Sequence, residues 1–231
     1  MPVQFKKLAR GDRVNLSKES GGKQHFRVAL GWEESPRPGE KIDLDVSLFG
    51  LADSGELKDG KPVMKLIDDR WFVFYNSETR TSDNTTTFVD ENEEKKGLPA
   101  SPCLGIIHSG DNQTGNAAGA NGDAETVFFD GAALDARVAL VPLIVSRYQK
   151  PLDVRRYGKL TFGQVQQAYV RVYNEDSGDL LAQYMLSEDF KSDISVHAGS
   201  FYRENGDTFF EAVGQGYPDR ELDDFYSKFQ A

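Results

Sequence analysis

Alternation with a period of two is the feature that most constrains this chain. In IDLDVSLFGL, Ile42, Leu44, Val46 and Leu48 alternate with Asp43, Asp45 and Ser47. Successive side chains of an extended strand leave on opposite faces, so the run reads as a strand with one dry and one polar face. Runs of the same β-rich kind recur at 24–30, 71–75, 126–129, 138–145, 165–173 and 180–186. Near the end, SVHAGSFY and TFFEAV flank Glu204-Asn205-Gly206-Asp207. Asn-Gly accepts positive φ at both central positions of a hairpin turn. Many short strands broken by turns give an all-β expectation, an antiparallel β-sandwich with long acidic loops. One short C-terminal α-helix is expected from near Asp219, because Leu222, Phe225, Tyr226 and Phe229 stand at amphipathic spacing.

A chain of 231 residues can bury a core without a metal or a disulfide. No repeat or interdomain linker is visible, so 1–231 reads as a single domain. Two polar stretches interrupt the strands. One, with SETRTSDNTTT and DENEEKK, reads as a long surface-loop insertion at about 77–107. The other is the Gly- and Ala-rich run Gly110 to Glu125, which lacks the apolar content to fold alone.

Charge excludes several classes of function. The 27 basic and 37 acidic side chains leave a net charge of −10. Such a surface repels phosphate backbones, so no nucleic-acid partner is expected, whereas cations and basic partners are attracted. No apolar run approaches the ~20 residues that cross a bilayer, so no direct membrane insertion is expected. The opening MPVQFKKLARGDRV lacks the apolar core of a signal peptide. Cys103 is the only cysteine, which rules out an intrachain disulfide and Cys-rich zinc sites and suits a reducing cytoplasm. An inert, buried thiol is the preferred reading of it. There is no phosphate-binding glycine loop, HExxH, GxSxG or dinucleotide fingerprint. His25, His108 and His197 are far apart in the sequence and read as structural.

What remains is oxygen. Asp43 and Asp45 lie two apart on one strand, so both point to one face, about 6–7 Å apart at Cα. The Gly110 to Glu125 loop adds the carboxylates Asp111, Asp123 and Glu125, and the amide oxygens of Asn112, Asn116 and Asn121. Asn76 closes the apolar run WFVFYN, a strand end where a polar side chain is well placed as a ligand. Mixed carboxylate and amide oxygens on glycine-bearing loops suit Ca²⁺ better than Mg²⁺ or zinc. The competing reading is a set of ordinary solvated turns. The loop is not an EF-hand, because it lacks that motif's acidic spacing.

An ordered set of motifs spans nearly the whole chain. LARGDRVNLSK (8–18), VALGWE (28–33), IDLDVSLF (42–49), FVFYN (72–76) and SGDNQTG (109–115) are followed by GDAE (122–125). Then come FGQVQQAYVRVYN (162–174), YMLSEDF (184–190), FYRENG (201–206) and AVGQGY (212–217). Together they resemble the TerD family of tellurium-resistance and general stress proteins. The resemblance implies a β-sandwich whose acidic loops hold two Ca²⁺ ions, in a cytoplasmic bacterial protein linked to tellurite, phage and chemical stress. It implies other tellurium-resistance family proteins as partners, a membrane-bound one included, so the chain would lie peripheral to the inner membrane through them. A homo-oligomer is left open. By position, Asp43, Asp45, Asn76, Asp111, Asn112, Asp123 and Glu125 fall on the family's acidic and amide positions, with Asp69 near a further one.

Two departures stand out. The 77–107 stretch exceeds the usual family link. Where the family often has a His-Asp pair after the strand ending at Val145, this chain has SRYQKPLDVRRYGKLT, with Arg147, Lys150, Arg155, Arg156 and Lys159. That stretch either binds an anionic partner or pairs with the protein's own carboxylates, and the second is preferred. The expected function is a calcium-dependent interaction module rather than an enzyme, with Asp43, Asp45, Asp111, Asp123 and Glu125 converging on the ions. The alternatives are a metal-dependent hydrolase, with His108 the nearest histidine, and a structural scaffold whose metals only hold the fold.

Overall fold

Alternating strands need a partner surface for their dry faces, and here two sheets supply it to each other. The computed structural model describes residues 5–83, 86–90, 93–116, 122–187 and 189–231, with the backbone alone at 86–90 and 93. The first sheet runs, in spatial order, Lys6–Lys7, Leu180–Met185, Tyr169–Asn174, His25–Gly31, Glu125–Asp130 and Ile106–His108. The second runs Arg13–Asn15, Asp207–Glu211, Ser195–Glu204, Val141–Tyr148, Asp43–Phe49 and Phe72–Val73, with Gln215–Tyr217 added against Ser195–Glu204. Neighbours are antiparallel except Lys6–Lys7, which lies parallel to Leu180–Met185. The fold is therefore the expected β-sandwich.

The main core lies between the sheets. Phe26, Val28, Leu30, Val127, Phe129, Val170 and Val172 face it from the first sheet. Leu44, Val46, Leu48, Val141, Leu143, Val145 and Phe201 face it from the second. Trp32 is buried at one end, and its Nε1 donates to Ile42 O at 2.9 Å, tying the first sheet to the entry of the Asp43–Phe49 strand. The expected hairpin forms at Asn205 and Gly206, whose φ values of 53° and 86° are those of a two-residue hairpin turn.

A second core covers the far face of the second sheet. The C-terminal helix Leu222–Gln230 seats Phe225 and Phe229 against Phe49, Phe72 and Ile144. Phe49 stacks on Phe72 with ring centroids 4.5 Å apart and meets Phe229 at 5.0 Å. Asp69 fastens the helix, its Oδ1 accepting from Tyr226 Oη at 2.7 Å and Gln230 Nε2 at 2.9 Å. This helix corrects one expectation. The polar face of Asp43–Phe49 is not open to water; all its residues after Asp43 are buried, Asp45 and Ser47 included.

Three further elements differ from the sequence reading. WFVFYN holds only two strand residues, Phe72–Val73, after a 3-10 turn over Asp69–Trp71. The chain then turns because Ser77 Oγ accepts from Phe74 N and donates to Phe72 O, each at 3.0 Å. Asn76 thus lies in a turn rather than at a strand end. The 77–107 stretch carries the pair Thr86–Asp90 and Glu93–Lys96, bridges at Arg80/Pro99 and Ala100/Ile107, and buried Ala100 and Ser101. It is therefore anchored to the sandwich at its base. Leu51–Lys58 and Lys61–Leu66 form a separate hairpin around Asp59-Gly60, and Pro151–Tyr157 is a short helix begun by its proline.

Phe225→Ala should remove about 3 kcal/mol of stability by opening a void between helix and sheet. Chemical denaturation checks this; an unchanged midpoint would show that the helix is not seated on the sheet.

Candidate acidic site

The site begins with an unpaired strand edge. Asp43–Phe49 pairs with Val141–Tyr148 along one side, but Phe72–Val73 covers its other side only at Leu48 and Phe49. The buried N–H and C=O of Val46 on the open side still need partners. Two side chains from the opposite sheet supply them. Glu125 Oε2 accepts from Val46 N at 3.0 Å, and His108 Nε2 donates to Val46 O at 3.1 Å. His108 Nδ1 accepts from Gly110 N at 3.0 Å, so the ring is neutral with its proton on Nε2. Burial pushes His108 down to about 4 and keeps it neutral.

Glu125 also reaches the loop. Its Oε1 accepts from Asn112 N at 3.1 Å, fixing the backbone beside Asp111. Asn112 Oδ1 accepts from Thr114 N at 3.1 Å and Gly115 N at 3.0 Å. Gly115 has φ 74°, and a Cβ there would run into Trp32, so the loop lies flat on the sandwich only with glycine. One carboxylate thus joins the strand of Asp43 and Asp45 to the loop of Asp111.

The outcome is three carboxylates in one place. One oxygen each of Asp43, Asp45 and Asp111 lies within 4.8 Å of the others. Asp45 is 5% exposed, and Asp43 Oδ1 is buried without a hydrogen-bond partner. Among the described residues no ion pair reaches any of the three. Asp111 accepts from Gln113 Nε2 at 2.9 Å. Burial pushes Asp43 up from 3.8 to about 7, with Asp111 adding to the rise and Lys41 and Lys150 opposing it. Burial, then Asp43 and Asp111, hold Asp45 well above the usual carboxylate range. Burial, then Asp45, raise Glu125, against its two backbone donors. Tyr75 is raised too, by burial and then by Asp45 and Asp111. Like charges out of water are tolerated only when protonated or met by a cation. Hard, all-oxygen donors of this kind suit a Ca²⁺-type ion.

Among the described carboxylates, Asp123 and Glu125 do not join this cluster. Asp123 pairs with Arg27 Nη1 at 2.8 Å and accepts from Tyr169 Oη at 3.2 Å. Glu125 stands beside the cluster with both oxygens given to backbone N–H groups. The Asn112 amide oxygen serves its own turn, and the Asn116 amide donates to Gly122 O. Asn76 Oδ1 is buried without a partner, beside a cleft bordered by Phe72, Phe74 and Tyr226. Asn121 lies outside the described residues. The expected convergence of five carboxylates is therefore a convergence of three. His25 meets Asp130 and Asp176, and His197 Nε2 lies 2.9 Å from Ser200 Oγ. Cys103 is half-buried rather than fully buried, with Gly105 N 3.4 Å from Sγ.

The sequence reading missed Tyr75 and placed Arg147 only within a basic stretch. Tyr75, Arg147 and Asp45 border one cleft of ≈ 320 Å³. Of the basic stretch, Arg147 pairs with Glu221 at 2.9 Å and Lys159 Nζ donates to Pro218 O. Among the described residues no ion pair forms at Lys150, Arg155 or Arg156.

The raised Asp43 makes a pH prediction. Its folded value exceeds the unfolded one, so ionising it costs stability progressively from about pH 4 to about pH 7. His108 and His197, both pushed down to about 4, act in the opposite direction between about 4 and 6.5. They act alike in an Asp43→Asn variant, so the difference reports Asp43 together with its effect on Asp45. In chelator-stripped protein, Asp43→Asn should gain stability relative to wild type from pH 4 to pH 8. A flat difference in denaturation free energy across that range would contradict the assigned environment.

Comparison with known proteins agrees with the motif order. The family model described as TerD domain matches residues 5–229. Tellurium resistance protein TerD of Serratia marcescens is 32% identical, over 91% of this chain and 90% of the relative. General stress protein 16U of Bacillus subtilis (strain 168) is 31% identical, with the same shares covered. The crystal structure of a homologue of telluride resistance protein (TerD) from Streptomyces coelicolor A3(2) superposes with a TM-score of 0.59 at 19% identity, over 91% of this chain and 99% of that one. That likeness is one of fold. With a family model spanning nearly all its length and relatives matched over nine-tenths of theirs, the chain belongs to the TerD family of tellurium-resistance and general stress proteins.

Proposed function

We propose that the chain is a calcium-binding stress-response module whose ion sits among Asp43, Asp45 and Asp111. The observation that carries this reading is Asp45, a buried carboxylate facing two others and in no ion pair among the described residues. The donor set fits the ion, since carboxylate oxygens from a strand and a loop match calcium's flexible, all-oxygen coordination. Zinc would want nitrogen or sulfur, and His108 has both ring nitrogens committed.

The residues act as an electrostatic latch. Without an ion, Asp111 on its loop repels Asp43 and Asp45 on their strand. A divalent cation removes most of that repulsion, draws the loop onto the strand edge and fixes the surface there for a partner. The partner in this reading is another protein of the same stress response, and its capture depends on calcium. A scaffold whose ion only holds the fold would capture it equally with and without calcium. A hydrolase reading needs a base beside the ion, and the one nearby histidine is buried and spent on Val46 and Gly110. Among the described residues no helix is long and apolar enough to cross a membrane. A cytoplasmic setting is part of the proposal.

Calorimetric titration of chelator-stripped protein tests the reading, with magnesium as the control. Calcium should bind saturably and magnesium more weakly. Asp45→Asn and Asp111→Ala should each weaken calcium by about tenfold or more. At a calcium concentration near one hundred times Kd, unfolding should cost about 2.7 kcal/mol more than without it. Unchanged calcium binding in both variants would remove the cluster from the function.

A further inference from the structure

The cleft beside Asp45 holds a second unmet charge. Arg147 is 9% exposed and borders this ≈ 320 Å³ space together with Asp45, Tyr75 and Phe74. Only half of the guanidinium fork is used. Nη2 donates to Glu221 Oε1 at 2.9 Å, whereas the buried Nε–H has no acceptor among the described residues. A guanidinium in low dielectric calls for a bidentate oxyanion. Glu221 supplies a single contact, and its side chain is 54% exposed, so it gives up that contact at small cost.

Charge decides when an oxyanion can enter. Asp45, Glu221 and Asp223 face Arg147 across the cleft, so without an ion the space is net negative and repels anions. A divalent ion at Asp45 offsets that negative charge. Around the neighbouring carboxylate, Lys41 and Lys150 border a second cleft with Asp43 and Gln113. Positive groups therefore flank the cluster on both sides once it is loaded. The aromatic walls Phe74, Tyr75 and Tyr148 suit an apolar body behind the charged group.

We propose that the loaded site is one half of an oxyanion receptor, in which a carboxylate or phosphate group on an aromatic or apolar body bridges the calcium ion and the Arg147 fork. This rests on the calcium reading above. It gives the basic stretch after Val145 a role that pairing with the protein's own carboxylates does not exhaust.

Benzoate and phenyl phosphate serve as probes, titrated into calcium-loaded and chelator-stripped full-length protein by calorimetry or NMR. At least one should bind the loaded protein saturably, and the stronger of the two identifies the head group. Its affinity should fall about tenfold on chelation, and about tenfold in Arg147→Lys, which keeps the charge and loses the fork. Glu221→Gln, which weakens the competing contact, should tighten it, and this variant carries the test if Arg147→Lys fails to fold. Calcium affinity measured in the same samples separates the failures. No calcium binding overturns the reading and this inference with it. Normal calcium binding with no probe binding, or with probe binding indifferent to calcium and to both variants, overturns the oxyanion receptor alone.

Discussion

The Glu125 carboxylate is the interaction on which the site depends. It starts from the first sheet, crosses the end of the sandwich and accepts from Val46 N in the second sheet and from Asn112 N in the loop. Without it the open edge of Asp43–Phe49 would bury an unmet N–H, and Asn112 N would lose its acceptor. His108 completes the join by donating to Val46 O and accepting from Gly110. The two side chains stand where a neighbouring strand would. Asp111 arrives beside Asp43 and Asp45 as a consequence.

That arrangement gathers like charges at one place. Arg27, Arg137 and Arg70 each meet a carboxylate within ion-pair distance. Asp43 is raised by burial and then by Asp111, and Asp45 by burial and then by Asp43 and Asp111. Sites where local chemistry disagrees with the fold tend to be functional, because only a ligand removes the conflict. The same logic extends to the half-used fork of Arg147, one strand position from Ser146, which pairs with Asp45.

Much of this was legible from local pattern, and the rest was not because it is long-range. Alternation placed Leu44, Val46 and Leu48 inward, Asn205-Gly206 located a hairpin, and the spacing of Phe225 and Phe229 located the helix. Parity also put Glu125 on the core side with Val127 and Phe129, a signal that its inward role was available. Asp59-Gly60 offered the same turn signal as Asn205-Gly206 and marks the hairpin that was missed. Asp123 was beyond local reading, because its fate is decided by Arg27, a residue 96 positions away. The burial of Asp45 likewise involves segments distant in the chain, Phe74, Tyr75 and Leu222 bordering its cleft, which no strand pattern announces.

The most direct measurement is a crystal structure grown with calcium. The account predicts one ion bonded to carboxylate oxygens of Asp43, Asp45 and Asp111 at about 2.3–2.6 Å, with the Glu125 contacts to Val46 and Asn112 kept. Calcium bound elsewhere, with those three carboxylates left together and free of metal, would contradict it.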